Sequence, residues 1–216
     1  MTPLLVWLLA LAPAAPHAES VTPAPSSPLA ARPDWNLSLV VATQASYVPT
    51  PFEYTYVDVL YQSIDRDGGL PKQDGLGVRG SFDVTDNIRL LASFGKSRAN
   101  TPAGKDELRE YSLGFGMHGS YNEWLDVIGN FEWVRREFRG ISQGRHKGWL
   151  AGVGVRMLPA PKLEIDVLAL FLNSVEDDAG AQLGAVWNFT PYVGARVAGT
   201  VLGDETRYQG GLRFSL

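Results

Sequence analysis

A chain of 216 residues suits one domain plus a leader. Its 19 Lys and Arg against 23 Asp and Glu leave a net charge of −4, which excludes the strongly basic footprint of a nucleic-acid-binding protein. It has no Cys, which excludes a disulfide framework and thiol chemistry.

The N-terminus reads as a secretory signal over residues 1–18. Leu4 to Leu11 form an apolar core too short to span a bilayer as a helix, and Ala12-Pro-Ala14 and Pro16-His-Ala18 offer small-residue cleavage sites. No Lys or Arg precedes the apolar run. Residues 19–52 read as a linker and an N-terminal segment of unassigned role. Residues 19–33 are rich in Pro, Ala and Ser. Trp35, Leu37, Leu39 and Val41 then alternate like a strand before Pro49 and Pro51 cut them off. No later segment approaches the ~20 continuous apolar residues of a membrane helix.

From residue 53 to residue 216 the apolar period is two, the mark of half-buried strands. The pattern predicts an all-β fold, an antiparallel up-and-down transmembrane barrel. Ten strands are expected over about 53–64, 75–84, 88–98, 107–118, 124–138, 146–157, 162–174, 180–189, 192–202 and 205–216, with eight as the alternative count. Turn-forming residues join strands two to three, four to five, six to seven and eight to nine in short connections. Longer polar loops are expected over 65–74, 99–106 and 139–145. Short turns at one end and longer loops at the other are the asymmetry of outer-membrane barrels.

The two faces of each strand differ in kind. One carries bulky apolar rows, such as Ile88, Leu90, Ala92 and Phe94, or Trp149, Ala151, Val153, Val155 and Met157. The other carries small residues interrupted by charge. Its arginines are Arg79, Arg89, Arg136, Arg156, Arg196, Arg207 and Arg213; its acids are Asp58, Asp83, Glu110, Asp126, Glu132, Glu164 and Asp166. Arg beside Gly, matched in number by carboxylates, predicts a salt-bridged lumen and not a solvated outer wall. Tyr61, Tyr111, Trp133, Trp149 and Tyr208 fall near the long-loop ends, and Trp124, Trp187, Phe189, Tyr192 and Phe214 near the short turns. Two aromatic girdles around an aliphatic band are what a bilayer selects.

The last strand closes on Gln209-x-Gly211-x-x-Phe214-x-Leu216, which resembles the C-terminal assembly signal of bacterial outer-membrane barrels, although Leu216 stands where Phe or Trp is usual. Over residues 53–216 the layout resembles small barrels of the OmpX and OmpA-transmembrane-domain kind. It is more similar still to a ten-stranded group sometimes labelled quorum-factor proteins, through Tyr54-Thr-Tyr56-Val57-Asp58 and Arg213-Phe214-Ser215. The resemblance implies a bacterial outer-membrane location, a monomer, and the barrel-assembly machinery and outer-membrane lipids as partners.

His118-Gly119-Ser120 resembles the His-x-Ser of outer-membrane lipid A deacylases, but Tyr121 stands where Asn is expected and no orienting third group is evident. The Asp-x-His of ten-stranded outer-membrane proteases is absent, because His146 follows Gly144-Arg145. Arg139, Arg145 and Lys147 cluster in the third long loop, where they could contact lipopolysaccharide phosphates. Glu176-Asp177-Asp178 lacks the spacing of a calcium loop, so no metal or cofactor is expected. The expectation is a non-enzymatic barrel with a mostly closed lumen and a structural or surface-interaction role. A narrow-pore channel and an outer-membrane lipid hydrolase are the alternatives.

Overall fold

A computed structural model of the chain describes residues 52–66, 71–101, 104–140, 143–174 and 177–216. The expected leader and nearly all of the linker fall outside these residues, as does Glu176. Ten strands follow one another: β1 (Tyr56–Arg66), β2 (Gln73–Thr85), β3 (Ile88–Thr101), β4 (Gly104–Asn122), β5 (Leu125–Arg139), β6 (Gly144–Ala160), β7 (Leu163–Asn173), β8 (Asp177–Asn188), β9 (Val193–Leu202) and β10 (Glu205–Ser215). Each pairs antiparallel with its chain neighbours, and β1 pairs with β10 to close the barrel. Closure satisfies every strand edge within the sheet, as a spanning structure must in hydrocarbon. The strand count is ten, not eight.

The period of two becomes an inside and an outside. Leu76, Phe82, Leu90, Leu113, Val153, Leu183 and Val197 all point outward, with Leu113 at 64% exposure. The aromatic rows bracket them: Tyr61, Trp133 and Tyr208 toward the loop end, Trp124, Trp187 and Tyr192 toward the short-turn end. So large an exposed apolar surface is a liability in water and a requirement in lipid. No helix among the described residues is long and apolar enough to cross a membrane.

Two expectations need correction. Every described residue of the polar stretch 99–106 is strand, and in 139–145 Arg139, Gly144 and Arg145 are strand. β3 and β4 stay paired out to Thr101 opposite Gly104, and β5 and β6 out to Phe138 opposite Gly144. Both faces carry polar residues here, so the hydropathy contrast that marks a strand fades while backbone pairing continues. The interior is also not polar throughout. Leu168, Leu170 and Leu172 of β7 point inward and pack with Ile128, Leu202, Phe52 and Tyr54. In Val167 to Leu172 both faces are apolar, so alternation hides which face is the lumen.

Glycines make room for the charged interior. A Cβ on Gly184 would lie 2.5 Å from the Asp166 carboxylate, and one on Gly116 would lie 2.5 Å from Arg89 Nε. Gly211 does different work: a Cβ there would collide with the Val59 carbonyl oxygen at the β1–β10 seam.

Candidate functional site

The lumen is the candidate site, because the sheet registers stack its charges into rows. Asp58 stands opposite Arg213 across the seam and opposite Arg79 on the other side. Asp126, Arg156 and Asp166 form one row across β5, β6 and β7. Glu110 faces Arg136, and Asp83 faces Arg89.

Toward the short-turn end the network is buried. Arg213 donates to both oxygens of Asp58, at 2.8 and 3.0 Å, and their side chains are 2% and 0% exposed. Arg196 bridges Asp58 at 3.6 Å and Asp166 at 3.1 Å, and Gln182 donates to Asp166 at 3.0 Å. Arg156 pairs with Glu164 and donates to the Glu53 carbonyl at 3.2 Å. A forked Arg–carboxylate pair of this kind is strong where water is excluded.

The Tyr54-Thr-Tyr56-Val57-Asp58 stretch explains itself here. The Arg213 guanidinium lies 3.6 Å from the Tyr56 ring centroid. Tyr54 enters the barrel mouth, stacks on His118 at 3.8 Å and donates its hydroxyl to Asp126 at 2.8 Å. Arg89 and Arg156 lie over its ring at 4.6 and 4.7 Å, within cation–π range.

Toward the loop end Arg136 pairs with Glu110 at 2.9 Å, and Arg207 pairs with Glu110 at 2.8 Å and Glu205 at 2.6 Å. Arg66 joins Glu205 at 3.1 Å, and Arg79 reaches Glu132 at 3.5 Å. Gln62 donates to Ser97 at 2.8 Å, Gln73 donates to Asp106 at 3.2 Å, and Ile64 and Leu108 are buried. Between the tiers lies a cavity of about 150 Å³, lined by Leu150, Leu168, Leu170 and Leu172 and by the charged Glu110, Arg136 and Arg207.

The fourteen lumen residues named from sequence all lie on strands of this interior, but their pairing is not seven to seven. Arg89 forms no ion pair among the described residues and instead donates to Asn130 at 2.9 Å. Asp83 lies 3.6 Å from His118 Nε2. Glu205 and Arg66 enter the network unforeseen, since strand-end residues give little periodic signal. Gln209 and Gly211 face the lumen, whereas Phe214 and Leu216 face outward.

The His118 ring is buried under Tyr54, and among the described residues no hydrogen bond joins it to Ser120. Arg139 and Arg145 lie on strands and both reach Glu137, at 3.3 Å each. Lys147 lies opposite Arg135 in the β5–β6 ladder. No group of three or more His, Cys, Asp or Glu side chains suited to a metal ion occurs among the described residues.

No protein-family model matches the chain, and no curated protein matches it. It is similar in fold to solved structures. The KdgM porin in complex with disordered oligogalacturonate is 9% identical, with a TM-score of 0.46 over 74% of this chain and 99% of that one. Ail, the attachment invasion locus protein of Yersinia pestis, is 14% identical, with a TM-score of 0.37 over 74% and 95%. The translocator domain of autotransporter NalP from Neisseria meningitidis is 11% identical, with a TM-score of 0.42 over 76% and 89%. Identities this low speak to fold alone.

Proposed function

We propose that this protein is a bacterial outer-membrane barrel that does not conduct, and that it acts through its wall and surface and not through its lumen. The observation that carries this reading is the Asp58–Arg213 pair, fully desolvated and doubly hydrogen-bonded across the closing seam. It supports a locked interior because a permeation path needs charges that water can reach. The Phe52–Tyr54 segment packed into the short-turn mouth and the Gln62–Ser97 contact toward the other end point the same way. Both chain ends of the barrel lie at the short-turn end, which this reading makes periplasmic.

A second reading, a narrow channel, is favoured by the 150 Å³ cavity and by a further space of about 260 Å³ near the loop-end mouth, lined by Arg66, Gln73, Asp106, Phe138 and His146. Planar-bilayer recording separates the two. The proposed function expects no steady current from the purified wild-type barrel. Reproducible single-channel steps that scale with salt would overturn it in favour of the channel.

A further inference from the structure

The outward face of β3–β6 carries a cationic collar directly beyond the aromatic girdle. On β4, Lys105, Glu107 and Arg109 alternate outward in step with Tyr111, and on β5 Arg135, Glu137 and Arg139 do so in step with Trp133. β3 adds Lys96 and Arg98, and β6 adds Arg145 and Lys147 above Trp149. The registers make this one surface. Lys96 lies opposite Arg109, Arg109 opposite Glu137 and Glu137 opposite Arg145, while Tyr111 lies opposite Arg135 and Arg135 opposite Lys147.

Eight cationic side chains meet two carboxylates here, a local +6 in a chain whose formal charge is −4. Both carboxylates are saturated. Glu107 holds Arg109 at 2.6 Å, Arg98 at 3.0 Å and Lys96 at 3.2 Å. Glu137 holds Arg135, and Arg139 and Arg145 at 3.3 Å each. Each acid arranges three cations side by side without neutralising them. Arg98, Arg139 and Arg145 remain 55–62% exposed. On β2, Asp74 stands opposite Arg98, accepts from Ser63 at 2.6 Å and ends the patch on that side.

Depth identifies the partner. A spanning strand needs about 9–11 residues, whereas β4, β5 and β6 have 19, 15 and 17. The surplus carries the collar out of the hydrocarbon on the face that meets lipid. Successive outward residues are about 7 Å apart along a strand, so the cations begin one step beyond Tyr111, Trp133 and Trp149, at headgroup height. A ligand there has acyl chains against the girdle and more than one anion against Arg and Lys. Arg forks suit phosphate oxygens, two at a time.

We propose that this collar binds the phosphorylated headgroup of lipopolysaccharide in the outer leaflet, side-on to the barrel wall. The proposal rests on the outer-membrane orientation above but not on whether the lumen conducts.

The test uses the full-length chain refolded in detergent and titrated by native mass spectrometry with lipopolysaccharide, its dephosphorylated form, phosphatidylglycerol and inorganic phosphate. Lipopolysaccharide should bind at least tenfold more tightly than the dephosphorylated form or phosphatidylglycerol. R139Q/R145Q should lower that affinity about tenfold, and adding R98Q should lower it further, while heat-modifiable migration stays normal. K162Q, at the opposite end, should bind as wild type does. If the triple variant fails to fold, the double variant still decides the matter. Equal affinity for phosphorylated and dephosphorylated forms, or unchanged binding by a folded R139Q/R145Q, would overturn the proposal. So would millimolar inorganic phosphate competing fully, which would mark a simple anion patch. Conductance of the same preparation is read separately, so an open lumen and a failed collar give different results.

Discussion

The lumen and the collar are built from the same pairs, Arg with carboxylate on neighbouring strands, yet they do opposite things. In the lumen, Asp58 and Arg213 are buried against each other, and Arg196 on Asp58 and Glu164 on Arg213 extend the pair into a charge-matched network. In the collar, Glu107 and Glu137 each gather three cations that stay partly or largely in solvent. A buried, charge-matched network locks a wall, because losing one member leaves a buried charge under-compensated. A three-to-one exposed cluster leaves charge available to a third party and adds little stability of its own. The face of the strand decides which it is: inward residues are confined by the opposite wall, outward ones are not.

The sharpest break between the two should come from Asp58→Ala. It removes both hydrogen bonds from Arg213 to Asp58 and leaves Arg213 with Glu164 at 3.7 Å; losing one partner of a buried pair costs about 3–5 kcal/mol. Urea titration in lipid vesicles would measure it; a loss below about 1 kcal/mol would place Asp58 in a wet channel and erase the contrast. Next comes the lipid face. Leu90, opposite Phe82 and Phe115 in an uninterrupted apolar row, should tolerate Arg poorly. A cost of about 2–4 kcal/mol is expected if it lies near the midplane, and wild-type stability would remove that strand from the membrane.

Phe214→Ala should act on assembly more than on stability. It removes an outward aromatic of the closing strand, opposite Val57 of β1. Slower acquisition of heat-modifiable migration and lower surface levels are expected, and unchanged levels would count against the terminal signal.

The smallest effect belongs to the collar. Partial burial pushes Glu107 up, but hydrogen bonds from Arg109, Arg98 and Lys96 outweigh it and hold the carboxyl at about 2. Its folded value lies below its ordinary one. Its stabilisation is therefore complete above the ordinary carboxylate range and disappears as pH falls toward 2. Wild type and Glu107→Gln should differ slightly at neutral pH and converge near pH 2. A gap that persists at pH 2 would mean the side chain acts through packing and not charge.

The strands and their inward and outward faces were legible because lipid on one side and a packed lumen on the other force a strict period of two. Arg156 beside Gly152 and Gly154, or Arg89 facing Gly116 across the sheet, is the trace of a crowded charged interior. The inward leucines of β7 were not legible, since a strand apolar on both faces has no phase. Glu205 and Arg66 were missed because they sit at strand ends. The collar was half seen: Arg139, Arg145 and Lys147 read as a loop because polarity on both faces resembles a loop. Yet Lys105-x-Glu107-x-Arg109-x-Tyr111 and Arg135-x-Glu137-x-Arg139 keep the strand period into water, and that was the available signal. Which acid meets which arginine depends on distances across the barrel, as with Arg207 and Glu110, which are 97 residues apart, and no local pattern encodes it.

The locked lumen is tested most directly by a double-mutant cycle on Asp58 and Arg213, with unfolding followed in lipid vesicles at low and high salt. Asp58→Ala and Arg213→Ala should each be strongly destabilising and the double variant much less than their sum, a coupling of about 2–3 kcal/mol that salt does not screen. Additive losses, or a coupling under about 1 kcal/mol that vanishes in high salt, would contradict the account and describe an open, hydrated pore.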